Sequence, residues 1–184
     1  MKISDSEKLI LLMLSEIYDK LDLKGEIEPD FIRSAIFSDN TWSIPWKYVG
    51  IPFESQETPP MVKEVLNILD MWGFIEWSYN QLSDENKAYV EKEAYPFGKD
   101  PKFPGFDGNN ETEYMGIASF LVDDLERFSE FKGRYFNSHC PSIDGYQRML
   151  PVYKSVMKER FNSQLSPDDL VMILKERAHP TIRK

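Results

Sequence analysis

A chain of 184 residues, 41% hydrophobic and 29% charged, has the composition of a core-forming globular protein and excludes wholesale disorder. Its net charge of -9 repels nucleic acid and anionic lipid wherever no basic patch intervenes. A single cysteine, Cys140, excludes an internal disulfide, and with only two histidines it disfavours a Cys/His zinc site.

Ser4, followed by Glu7, offers a capping box and predicts a helix over about 4–21. Leu9, Ile10, Met13, Leu14, Ile17, Tyr18 and Leu21 fall on one broad stripe at helical spacing, with Leu11 and Leu12 off its centre. The expectation is a helix covered from two sides, by its own domain and by a partner subunit. The apolar run of 9–14 is too short for a membrane span, and the acidic stretch around Asp5 and Glu7 does not resemble an export signal.

Gly25 breaks the chain, and Pro29 suits the first turn of a short helix reaching Phe37. After a loop at 38–40, Thr41 is expected to cap a second short helix carrying Trp42, Trp46 and Tyr48, its regularity limited by Pro45. Thr58-Pro59-Pro60 starts a long helix with Val65, Ile68, Leu69, Trp72, Ile75, Tyr79 and Leu82 in phase. The stripe crosses Gly73 without a jump, so one helix to about 82 is expected. The competing reading is a stop at Gly73 and a short strand at Phe74–Tyr79. Ser83 restarts a helix to about 94.

The stretch 95–108 is the longest without periodicity, and Phe97, Phe103 and Phe106 are expected to pin it to the body. Asn109 or Asn110 is expected to cap a helix over about 111–131 with Tyr114, Ile117, Phe120, Leu121, Leu125 and Phe128 on its apolar face. Ser142 caps the next helix, about 143–161, with Tyr146, Met149, Leu150, Tyr153, Val156, Met157 and Phe161 on its apolar face and Pro151 as a kink or early boundary. Ser166-Pro167 begins the last helix, to about 177, and Pro180 stops it. The fold class is therefore mainly α: a single domain of 1–184, an irregular bundle of six to eight helices. Helical subregions 1–95 and 111–178 flank a Pro/Gly loop at 96–110.

No residue set points to catalysis, a cofactor or a metal. Asp107-Gly108-Asn109-Asn110-Glu111 begins like a calcium loop, but Thr112 stands where glycine is needed and Ala118 where the bidentate acid belongs. Glu176 and His179 form a lone Glu-x-x-His pair, whereas a di-metal bundle needs two. His139 and Cys140 are adjacent and so poorly placed to act on one another. Phosphate-binding, dinucleotide and nucleophile-elbow fingerprints do not occur. Trp42, Trp46 and Tyr48 could anchor a protein partner, although core packing is the commoner fate of such rings. Arg148 sits at the edge of an apolar stripe, where an ion pair with an acid of the preceding helix is expected; anion binding is the weaker alternative.

Gly105-Phe106-Asp107, Glu113-Tyr114-Met115-Gly116, Phe120-Leu121-Val122 and Tyr146-Gln147-Arg148-Met149-Leu150 resemble the YfbU family of bacterial proteins of uncharacterised function. The resemblance is most specific over about 103–153. It implies a predominantly helical, cytoplasmic, self-associating protein and carries over no catalytic residues. The expected function is a non-enzymatic interaction or regulatory module forming a homo-oligomer. One rival is a nucleic-acid-binding regulator with a winged-helix-like N-terminal part. It is opposed by Glu57, Glu64 and Asp70 on the helix before Trp72 and by the interrupted basic cluster Arg127, Lys132 and Arg134. The other is a small-molecule-binding enzyme or hydrolase, which would need Asp107, Tyr114, His139 and Arg148 to converge in one pocket.

Overall fold

Local start signals decide where the helices begin in the computed structural model, which describes residues 3–160 and 163–182. Ser4 accepts from the Glu7 N–H while the Glu7 carboxylate accepts from the Ser4 N–H, opening α1 (Asp5–Lys20). Pro29 occupies the first turn of α2 (Pro29–Phe37). A 3₁₀ turn at Thr41–Ser43 leads into α3 (Ile44–Lys47), so Thr41 is the first residue of that turn and Asn40 precedes it as cap. Then come α4 (Pro60–Asn80), α5 (Asp84–Glu93) capped by Ser83, and α6 (Thr112–Ser119). The last two are α7 (Ile143–Arg160) and α8 (Pro167–Lys175), the latter with a Ser166–Asp169 capping box. Among the described residues there is no strand, only an isolated parallel bridge between Phe106 and Asn137.

The long central helix passes Gly73 unbroken, so Phe74–Tyr79 is helical rather than a strand. The reason is the phase of its apolar face: Val65, Ile68, Leu69, Trp72 and Ile75 are all fully buried and Tyr79 nearly so. This helix, α4, packs on α6, α7 and α8, while α8 also receives α5 and α7. The main core gathers Trp72, Phe103, Phe106, Phe131 and Tyr146, with edge-on and tilted ring pairs at centroid distances of 5.5–6.0 Å. A smaller cluster joins Phe31, Ile32, Ala35, Ile36 and Ile44 to Phe120, and the partly buried Trp42 and Leu125 pack on both clusters.

The Pro/Gly loop is pinned, as its aromatic residues imply. Phe103 and Phe106 are buried, and the Phe103 N–H donates 2.8 Å to Glu76. Glu76 also receives both guanidinium nitrogens of Arg134 at 2.8 Å each. Gly105 has φ +89, and its carbonyl accepts from the buried Tyr146 hydroxyl at 2.6 Å. A Cβ there would stand 2.1 Å from the Phe136 carbonyl oxygen.

Three expectations need correction. The helix over 111–131 does not run through: after Ser119 it widens into a π turn at Phe120–Asp124, with Leu125 N–H donating to the Phe120 carbonyl. Glu126 and Phe128 then take positive φ, which turns Phe131 back into the core and brings Arg134 to Glu76. Neither Asn109 nor Asn110 caps α6, because Asn110 donates to Asp107 instead. Of the two readings of Pro151, a kink or an early boundary, the boundary is overturned: α7 continues through the residue, which is exposed, as is Gln147, whose carbonyl loses its partner. Phe161 lies outside the described residues.

Candidate functional site

The first site is the outer face of α1. Leu9, Ile10, Met13, Leu14, Ile17 and Leu21 are each 50–64% exposed, and Ser15 is the helix's one buried residue. Leu11 and Leu12, off the centre of the stripe, are the residues that pack on the smaller cluster. The domain thus covers the minor apolar edge of α1 and leaves the major face open. The helix packs on α2, and the pair is clamped by Lys8–Asp39 at 3.6 Å and Arg33–Asp19 at 2.7 Å. Those pairs set the two helices antiparallel.

Trp42 and Trp46 meet edge-to-face at 4.9 Å, Trp42 also meets Phe120, and Arg127 lies 4.7 Å over the Trp46 ring. Both indoles are half-buried and line a groove of about 690 Å³ with Val49, Ile51 and Phe53. The Tyr48 hydroxyl accepts from the Glu28 N–H at 2.9 Å and its ring meets Phe31 edge-on, tying α3 to the start of α2.

Arg148 does not form the expected ion pair with an acid of the preceding helix. Its Nε and Nη2 donate at 3.0 and 2.9 Å to the carbonyls of Glu176 and Arg177. The physical reason is the end of α8, whose unsatisfied carbonyls attract a cation. Arg148 there closes one side of a cleft of about 1030 Å³ between the 92–97 segment, the 138–145 loop and the end of α8. Sequence reasoning missed this cleft because its walls come from three remote segments with no shared motif.

The four groups of the hydrolase expectation do not converge. Burial, followed by the hydrogen bond that Tyr114 donates to Glu64 at 2.9 Å, pushes its phenol up to about 12. Asp107 is held below the ordinary carboxylate range by the Asn110 side chain, then by the Asn109 N–H, with His139 adding a weaker pull. Neither Asp107 nor Tyr114 lines the cleft that holds Arg148. No group of three or more His, Cys, Asp or Glu among the described residues is placed to hold a metal ion.

Glu111, also missed, is a geometric keystone of the loop: buried, it accepts from the N–H groups of Asp107, Ser142 and Ile143 at 2.8–2.9 Å. It thereby serves the N-terminus of α7 rather than that of its own helix.

The acids before Trp72 are engaged too: Glu64 by Tyr114 and Gln147, Asp70 by Tyr153, and Glu57 by Lys63. The basic cluster is dispersed, with Arg127 on Trp46, Lys132 on Glu126 and Arg134 on Glu76. No described helix is long and apolar enough to cross a membrane.

Fold and surface together define a mainly helical protein with an open apolar helix at one end. A family model, the YfbU domain, matches residues 1–176, and the chain belongs to the YfbU family. The chain is also similar to a UPF0304 protein of Methanocaldococcus jannaschii, 31% identical over 116 residues. That match covers 60% of this chain and 64% of the relative, so the chain spans just under two thirds of the relative's length.

Proposed function

We propose that the protein is a non-enzymatic interaction module, set in the cytoplasm, that self-associates by laying α1 against α1 of a second copy. The observation that carries this is the open stripe from Leu9 to Leu21. Six large apolar side chains, each at least half exposed on one helix face, form a contiguous patch of the kind that marks protein interaction sites.

A second copy suits this face because the sequence is self-complementary about a two-fold axis between Met13 and Leu14. Antiparallel pairing then sets Ile10 opposite Ile17, Met13 opposite Leu14, and Glu7 opposite Lys20 of the other copy. It also opposes the two helix dipoles. A protein partner other than a second copy would find its anchor in the groove lined by Trp42 and Trp46.

Sedimentation velocity tests the proposal. The wild-type chain is expected to sediment as a dimer at micromolar concentration. The double variant Ile10→Glu, Leu14→Glu is expected to sediment as a monomer with an unchanged far-ultraviolet circular dichroism spectrum. A wild-type monomer, or a dimer indifferent to both substitutions, overturns it.

A further inference from the structure

The cleft beside Arg148 carries a charge balance opposite to that of the chain. The protein has a net charge of -9, yet Lys92, Arg148, Lys175 and Arg177 line the cleft against only Glu93 and Asp144. The four cations are not equivalent. Arg148 is occupied by the carbonyls of Glu176 and Arg177, and Lys92 lies 3.5 Å from Glu93. Lys175 and Arg177 have no carboxylate partner among the described residues.

Arg177 is the telling group. Its guanidinium lies 4.7 Å over Phe97 and 5.7 Å over Trp72, half-buried between rings rather than against an acid. Burial pushes its ionisation below the ordinary arginine value, with Tyr146 and Cys140 pulling the other way. A partly desolvated cation set over ring faces, with no carboxylate beside it, gains from an anion that brings its own oxygen atoms. The remaining lining is mixed: Ser138, Ser142 and His179 are polar, whereas Tyr95, 84% exposed, and Pro96, Pro104 and Pro141 supply apolar surface. A volume of about 1030 Å³ is at the upper end of small-molecule sites, typically about 300–1,000 Å³.

We infer that this cleft binds a small organic anion, its phosphate or carboxylate seated on Arg177 and Lys175 and its apolar part against Tyr95, Pro96 and Pro141. The inference is independent of self-association, since it uses no residue of α1.

The chain supplies its own reporter. Cys140 is the one cysteine, is exposed, and lines the same cleft. Its rate of alkylation by iodoacetamide reads occupancy directly. At constant ionic strength, phenyl phosphate or benzoate is expected to slow alkylation saturably and at least about 5-fold, with inorganic phosphate weaker and neutral benzyl alcohol without effect. Which of the two aromatic anions protects at lower concentration tells phosphate from carboxylate. Arg177→Gln is expected to raise the half-protecting concentration about 10-fold, the loss of one charge-assisted hydrogen bond. Lys175→Gln, at an exposed position, is expected to raise it about 3-fold and serves if the first variant does not fold. Failure of both anions to protect, equal protection by benzyl alcohol, or protection unchanged in folded Lys175→Gln and Arg177→Gln overturns the inference.

Discussion

Helices α1 and α4 use the same helical periodicity and place their apolar side chains in opposite ways. On α4 the stripe from Val65 to Ile75 is wholly buried; on α1 the stripe from Leu9 to Leu21 faces outward. The polar groups differ in the same sense. In the body, Glu76 and Glu111 each satisfy backbone donors from distant segments. Around α1 the ties are surface ion pairs such as Lys8–Asp39, worth about 0–1 kcal/mol each. The contrast teaches that helical spacing marks a face as adhesive without saying what it adheres to. That is decided by which neighbours the rest of the chain brings.

The comparison breaks most readily at Glu111. Glu111→Ala strips the acceptor from three buried or half-buried N–H groups and is expected to cost about 3 kcal/mol or more in urea unfolding, with Glu111→Gln recovering part of it. A cost below about 1 kcal/mol removes the distinction between a polar-tied body and a loosely tied end. Next comes Gly105→Ala, which combines φ +89 with a Cβ 2.1 Å from a carbonyl oxygen. A loss of about 2 kcal/mol is expected, measured the same way.

On the other side of the comparison, the Ile10→Glu, Leu14→Glu variant is expected to change the stability of the isolated chain by only about 0.5 kcal/mol, measured where both proteins are dilute enough to be monomeric. A loss like that of Glu111→Ala would mean that the stripe serves the fold itself.

The smallest effect concerns pH. Asp107 has a folded-state pKa below its ordinary value, because Asn110 and the Asn109 N–H favour the carboxylate. Its contribution is therefore complete above the unfolded value of about 3.9 and is lost as pH falls through the lower folded value. Asp107→Asn is expected to show a shallower fall in urea midpoint below about pH 4 than the wild type. Parallel curves would show that Asp107 is not linked to acid unfolding.

Much of the fold can be read from short-range signals. Ser4 with Glu7, Ser83, and Ser166 with Asp169 announce helix starts within three residues, and they do so in the structure. The in-phase stripe through Gly73 correctly favours one long helix. The break after Ser119 carries no such mark: Leu125 and Phe128 continue the spacing, but burial of Phe131 and the reach of Arg134 to Glu76 outweigh the helical hydrogen bonds given up. Glu111 reads locally as a first-turn acid, whereas its partners are 31 and 32 residues away.

The cleft was less accessible still. Arg148 was visible as an unusual residue, but its direction depends on the carbonyls at the end of α8. Arg177 reads as part of a frayed helix end. Only the approach of Phe97 and Trp72 makes it a cation held between rings.

By itself, then, the sequence determined that this chain is helical, where most helices begin, and the absence of familiar catalytic fingerprints, because caps and periodicity act over three or four residues of covalent neighbourhood. The tertiary structure alone decided that α1 turns its larger apolar face outward, that the helix after Glu111 is cut short, and that basic side chains from remote segments share a cleft. Those outcomes depend on competition between burial, backbone satisfaction and charge across 30 or more residues of chain, a range over which a local pattern carries no information.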